Sequence, residues 1–280
     1  MWRRALNRLI PQMHRTGVFE PFSQEEFTRT VAGATIRLTA RDDRGDAMMD
    51  TGDLTGANVW GSGLALVDFL ERHSEQLGLR GAAVLELGSG TGLVGMSAAA
   101  LGARSVTLSD RVSLRNVCSH GPDGELLIAP PVRDHYLLDT LERNADENRQ
   151  RLHPCELRVV ELEWGCEAHL DAALAITPDR PEIQQGGPIS RSYDFIVGSD
   201  LTYSGGCVPA LLYSIKRLSS PHTATLLAIP HRGRRRAVAA SIDAFCLAAR
   251  DSGLETQVAH EERWFTILQV GLTQRTAKHI

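Results

Sequence analysis

The sequence predicts an α/β fold: a seven-stranded, mostly parallel sheet with helices on both faces and an antiparallel edge strand. Three observations predict it. After residue 80, short apolar runs alternate with segments of helical period in near-strict order. One early apolar run passes directly into a glycine-rich turn that opens a helix. The last two apolar runs have no helix-length segment between them, which favours an antiparallel pair at one edge.

Taken in order, residues 1–19 (MWRRALNRLIPQMHRTGVF) hold Arg3, Arg4, Arg8 and Arg15 and no acid. Trp2, Leu6, Leu9 and Met13 recur at helical spacing, as in a mitochondrial transit peptide, but Pro11 interrupts that helix and serine is nearly absent. Residues 1–26 therefore read as a basic arm and 27–280 as one domain, of which 27–58 form an N-terminal β extension around the alternating Ala34-Thr-Ile36-Arg-Leu38. Trp60, Leu64, Val67 and Leu70 share a helical face. Strand Ala83–Leu87, a glycine loop, helix Leu93–Leu101 and strand Ser105–Ser109 follow, then helix Tyr136–Asn148 and strands Leu157–Leu162 and Asp194–Gly198. Helix Val208–Leu218, strand Ala224–Ile229 and helix Ala237–Ala249 lead to the closing strands Glu255–His260 and Trp264–Val270. Cys118–Val132 and Thr177–Ser192, rich in Gly and Pro without an apolar period, read as surface loops or insertions.

Composition narrows the function. With 42% hydrophobic and 23% charged residues over 280 positions, the chain has ordinary globular usage rather than that of a disordered protein. A net charge of −4 excludes a bulk basic surface for nucleic acid. No apolar run approaches the roughly 18 residues of a membrane span. Five cysteines (Cys118, Cys155, Cys166, Cys207, Cys246), none in a Cys-x-x-Cys, argue against a disulfide framework or a zinc ribbon. The expectation is a monomeric intracellular protein without a metal site, cytoplasmic, with mitochondria the alternative from the basic N-terminus.

The strongest local signal is Val84-Leu-Glu86-Leu-Gly88-Ser89-Gly90-Thr-Gly92-Leu-Val-Gly95. Glycines let main chain approach a ligand, and a helix N-terminus offers free N–H groups. Two ligands compete. Gly90-x-Gly92-x-x-Gly95 fits a dinucleotide fingerprint, but its first glycine is displaced from the strand end. Glu86-x-Gly88-x-Gly90-x-Gly92 begins directly after the strand and carries an acid, which a cationic sulfonium ligand uses and a pyrophosphate does not. Asp110, closing the next strand, suits two ribose hydroxyls in either reading.

This loop resembles motif I of the seven-β-strand S-adenosylmethionine methyltransferases, a Rossmann-like class, and further motifs follow in order. Val59-Trp60, Leu141-x-x-Asn144-x-x-x-Asn148, Glu161-Leu-Glu-Trp164-Gly165 and Phe195-Ile-Val-Gly198-Ser199-Asp200-Leu-Thr-Tyr203 resemble the methyltransferase-like protein-lysine methyltransferases, methyltransferase family 16, over about residues 27–271. The resemblance implies S-adenosyl-L-methionine as cofactor, bound by Trp60, Glu86, Gly88, Ser89, Gly90, Asp110, Trp164 and Ser199. It implies Asp200 and Tyr203 as the catalytic pair, orienting and walling in a lysine amine of a protein substrate. Ser199 departs from the family's usual alanine. Asn144 and Asn148 read as structural, and Asp200 could equally cap a helix. Leu201-Thr202 replaces the two prolines usual in amino-methylating nucleic-acid enzymes, which tells against a base as acceptor. A small molecule, a histidine, RNA, or a non-catalytic use of the fold are the alternatives. The run His231-Arg-Gly-Arg-Arg-Arg236 reads as a solvated face or as a steering patch for an acidic peptide.

Overall fold

The structure is a computed structural model that describes residues 26–39, 56, 58–115, 118–120, 126–128, 132–177, 192–202, 205–231 and 235–273. It opens on an antiparallel hairpin of β1 (Glu26–Val31) and β2 (Ala34–Thr39). The alternation read in 34–38 buries Ile36 and Leu38 on one face. Helix α1 (Gly61–Leu77) follows, then β3 (Ala83–Leu87), α2 (Leu93–Ala100) and β4 (Ser105–Asp110).

Between β4 and α3 (Tyr136–Asn148) the described residues include four three-residue strands. They are β5 (Ser113–Arg115), β6 (Cys118–His120), β7 (Leu126–Ile128) and β8 (Val132–Asp134). β5 pairs with β8 and β6 with β7, so the stretch read as a loop contains hydrogen-bonded ladders. Three-residue strands are too short for a period-2 pattern to show. The chain continues through β9 (Glu156–Glu161), α4 (Glu167–Ala175), β10 (Phe195–Ser199), α5 (Val208–Leu218), β11 (Ala224–Pro230), α6 (Arg235–Asp251), β12 (Leu254–Glu261) and β13 (Phe265–Leu272). Helix α4 has no counterpart in the sequence reading. It buries only Leu170 and Ala173, too little for a helical stripe to stand out. Residues 178–191, most of the second predicted loop, lie outside the described residues.

The main sheet has the order β12-β13-β11-β10-β3-β4-β9. The four contacts from β11 to β9 are parallel, whereas β13 is antiparallel to both β11 and β12. The seven strands and the antiparallel pair at one edge are as the sequence predicts. The structure adds that β13, the last strand among the described residues, slots in second from the edge. Successive residues point to opposite faces and feed two cores. Val84, Val106, Leu108 and Val197 pack with α1, α2 and the β1–β2 hairpin. Leu85, Leu87, Ile196 and Leu227 pack with α4, α5 and α6. Burial on both faces explains why the central strands read as unbroken apolar runs.

Candidate active site

Strand β3 pairs with β4 on one side and β10 on the other, so the connections diverge at its carboxyl end. Diverging loops leave a crevice there. The described residues line a cleft of about 450 Å³ at this point.

The glycine loop forms one wall. Gly88 and Gly90 adopt φ of 58° and 53°, the left-handed region where a side chain is strained. Space is closed as well. A Cβ on Gly88 would lie 2.7 Å from Leu201 Cδ2, and one on Gly90 would lie 2.5 Å from Gly56 O. Only bare main chain fits.

Polar groups lock the loop to its strands. Asp110 Oδ2 accepts the Gly90 N–H at 2.8 Å, and Oδ1 accepts that of Arg111 at 2.8 Å. Burial raises the Asp110 carboxyl above its ordinary range, opposed by these two N–H bonds. Each oxygen retains the capacity to accept a further hydrogen bond. Ser89 donates its hydroxyl to Glu86 O (3.2 Å) and accepts the Ser109 N–H (2.8 Å), so this side chain braces β3 against β4. Ser109 Oγ adds a bond to Glu86 O at 2.6 Å.

Glu86 is 2% exposed and accepts the Gly95 N–H, in the first turn of α2, at 2.9 Å. Its carboxylate thus serves an otherwise unpaired helix donor. Burial pushes its pKa up to about 8, the Gly95 bond opposing.

The opposite wall comes from β10 and α1. Ser199 Oγ would be 3.3 Å from a Cβ on Gly63, so the departure from alanine fits under the first turn of α1. Asp200 is 8% exposed and holds φ at 60°, a strained conformation that aspartate tolerates better than most side chains. Its N–H donates to Ala228 O at 3.0 Å, which ties the turn to β11. The N-cap position of the next α-helix, α5, is Cys207, so Asp200 does not occupy it. Trp60 lines the cleft from the N-cap of α1, and Trp164 from the turn after β9, near Gly88. The Gly165 N–H, bonded to Ser214 Oγ at 2.9 Å, anchors that turn to α5.

The structure therefore brings together Trp60, Glu86, Gly88, Ser89, Gly90, Asp110, Trp164, Ser199 and Asp200 around one cleft. Tyr203 lies outside the described residues. Of the basic run, His231 is tied through Nε2 to Thr266 Oγ1 (2.8 Å) and through Nδ1 to Arg263 O (3.0 Å); residues 232–234 lie outside the described ones. Sequence reasoning missed Gly56, Arg111, Leu137, Glu163 and Cys207, which also line the cleft. Arg111 and Glu163 adjoin motif residues and were findable by adjacency, whereas Gly56, Leu137 and Cys207 carry no local signal. Among the described lining residues the acidic side chains are Glu86, Asp110, Glu163 and Asp200, and the basic one is Arg111.

Known proteins agree with this picture. A family model described as lysine methyltransferase matches residues 42–121. Protein N-lysine methyltransferase METTL21A of Danio rerio is 35% identical over 179 residues, 64% of this chain and 62% of that protein. EEF1A lysine methyltransferase 3 of Mus musculus is 28% identical over 181 residues, 65% of this chain and 58% of that protein. Protein N-terminal and lysine N-methyltransferase EFM7 of Yarrowia lipolytica is 24% identical over 242 residues, 84% of this chain and 74% of that protein. The chain spans about three fifths of the length of the first two relatives. The resemblance read from the motifs is borne out as far as these similarities go: the chain has the seven-stranded, mostly parallel sheet that the resemblance implies, and the relatives it matches are named as lysine methyltransferases.

Proposed function

We propose that this protein is an S-adenosyl-L-methionine-dependent protein-lysine N-methyltransferase. The observation that carries the reading is the acidity of the cleft: Asp110, Glu163 and Asp200 against Arg111 around a bare-glycine cradle, with Glu86 buried beneath it and its pKa raised to about 8. A dinucleotide pyrophosphate would meet net negative charge there, whereas a sulfonium and an incoming amine are both cationic or become so. S-adenosyl-L-methionine supplies, when bound, an electrophilic methyl group. Gly88 and Gly90 would hold it with main chain, Asp110 with its remaining lone pairs, and Trp60 and Trp164 with their ring faces.

The remaining chemistry falls to the protein's own residues. A lysine amine must be neutral to attack, and free lysine has a pKa near 10.4. Desolvation in the cleft and a bound sulfonium would depress that value, against the opposing pull of the cleft's carboxylates. Asp200, fixed by its bond to β11, would orient the amine, and the family resemblance gives Tyr203 the part of walling the channel. Positioning of this kind supplies much of the catalysis of an in-line displacement. Leu201-Thr202 in place of two prolines supports a protein rather than a nucleic-acid base as acceptor. Among the described residues no helix is long and apolar enough to cross a membrane.

The test is radiolabelled methyl transfer into a cell lysate, with mass spectrometry of the labelled band. Label on a protein lysine is expected; label in RNA, on histidine or on a small molecule would overturn the acceptor. Cofactor binding by calorimetry without transfer to any of them would leave a non-catalytic fold. The cysteine usage supports a cytoplasmic setting, checked by imaging fluorescent fusions with and without residues 1–25. A monomer is expected by light scattering.

A further inference from the structure

Asn144 and Asn148 sit four residues apart on α3, and both are fully buried. Each gives its side-chain amide to the outer edge of β2. Asn148 Oδ1 accepts the Arg37 N–H at 2.9 Å and its Nδ2 donates to Arg37 O at 2.6 Å. Asn144 Oδ1 accepts the Thr39 N–H at 2.9 Å and its Nδ2 donates to Thr39 O at 3.1 Å. The spacing explains the fit. Four helical residues rise about 6 Å and two strand residues about 6.7 Å, so an i, i+4 pair matches an i, i+2 pair. A primary amide has the donor and acceptor of a peptide unit, and the two asparagines stand in for a missing neighbouring strand.

The two side chains differ in their third bond. Asn148 Nδ2 donates to Asn144 O within the helix at 2.7 Å. Asn144 Nδ2 instead reaches Thr91 O at 3.0 Å. Thr91 is 3% exposed and lies between Gly90 and Gly92 in the glycine loop. The loop is thus held from two sides: Asp110 grips the Gly90 N–H from β4, and Asn144 grips the Thr91 carbonyl from α3.

We infer that Asn144 is a positioning residue for the cofactor loop, fixing Thr91 and joining the loop's conformation to the docking of the β1–β2 hairpin. Its effect on cofactor affinity rests on the proposed reading of the cleft; its effect on the loop does not. A carbonyl freed at Thr91 lets the adjoining Gly90 main chain drift from the geometry its ligand requires. Asn148, matched to it in residue type, helix and hairpin bonds, lacks the loop contact and is the natural control.

The experiment compares Asn144→Ala with Asn148→Ala. Each loses its two bonds to the hairpin, so both should lower the melting temperature. Only Asn144→Ala should weaken binding of S-adenosyl-L-methionine, by about threefold to tenfold in calorimetry, the scale of one buried hydrogen bond. In the ligand-free protein, only Asn144→Ala should speed hydrogen exchange at the Gly90 and Gly92 amides. A merely structural asparagine would move stability and leave these two readouts alone. Unchanged exchange at Gly90 and Gly92 in Asn144→Ala, or equal acceleration in both variants, overturns the inference. Wild-type protein that fails to bind the cofactor would overturn the functional reading instead, and the exchange comparison would still decide this one. Should Asn144→Ala not fold, Asn144→Asp keeps the acceptor for the Thr39 N–H, loses both donated bonds and is read the same way.

Discussion

The two walls of the cleft are built on different principles. On the β3–β4 side, Glu86, Ser89, Ser109 and Asp110 all bond to main chain within the strand-loop-helix unit and its neighbour strand. That wall is a preassembled, locally encoded cradle. On the β10 side, Ser199 packs under α1, and Asp200 sits in a strained turn held by β11. That wall exists only because distant segments converge on it. A cradle made of satisfied bonds suits a ligand that must be held, and a strained residue held by its surroundings suits a group that must act. Damage to the first wall should therefore register as lost affinity, and damage to the second as lost turnover.

The largest expected effect breaks the acting wall. Asp200→Asn keeps a residue tolerant of positive φ and removes the charge, so transfer should fall roughly 10²-fold while cofactor affinity stays nearly constant. Paired calorimetry and methyl-transfer kinetics check this. Transfer at the wild-type rate would strip Asp200 of its catalytic assignment.

Next in size is the holding wall. Asp110→Ala removes the partner of the Gly90 N–H and the expected acceptor for ribose hydroxyls, and should weaken cofactor binding by about 1.5–3 kcal/mol. Its kcat at saturating cofactor should change far less, and an equal fall in both would mean that the walls are not separable. Gly90→Ala sharpens the point without touching a charge. The new methyl meets Gly56 O in a left-handed residue, at a cost of about 1–2 kcal/mol in conformation alone, read as a lower melting temperature and weaker binding.

The remaining test concerns pH and reads stability rather than turnover or affinity. Glu86 rises from an ordinary 4.5 to about 8 in the folded protein, so the stability linked to its protonated form is fully present below 4.5 and lost as pH climbs through about 8. Glu86→Gln keeps an acceptor for the Gly95 N–H and carries no charge. Its melting temperature should decline less than that of the wild type between pH 5 and 8. Parallel curves would show that Glu86 does not titrate in that window.

Much of this was legible in the sequence because it is local. The run Val84 to Gly92 encodes strand, reversal and helix start within a few residues, and Asp110 follows one helix later at the end of the adjacent strand. Trp60, Trp164 and Asp200 were found through motifs, whereas Gly56, Leu137 and Cys207, ordinary residues in ordinary surroundings, were not. Helix α4 escaped because a helix with few buried side chains leaves no periodic trace, although parallel strands require a crossover of some kind.

By itself, the sequence determined the order of the main-sheet strands and of every described α-helix but α4, the glycine cradle and the acid beside it, since each depends on periodicity and turn chemistry over short spans. Only the tertiary structure decided that β13 enters between β11 and β12, that Asp200 takes up strain rather than capping a helix, and that Asn144 reaches both Thr39 and the Thr91 carbonyl. Those outcomes depend on contacts between residues far apart in the chain, such as the 105 positions that separate Thr39 from Asn144. No short window of sequence contains both ends of such a bond.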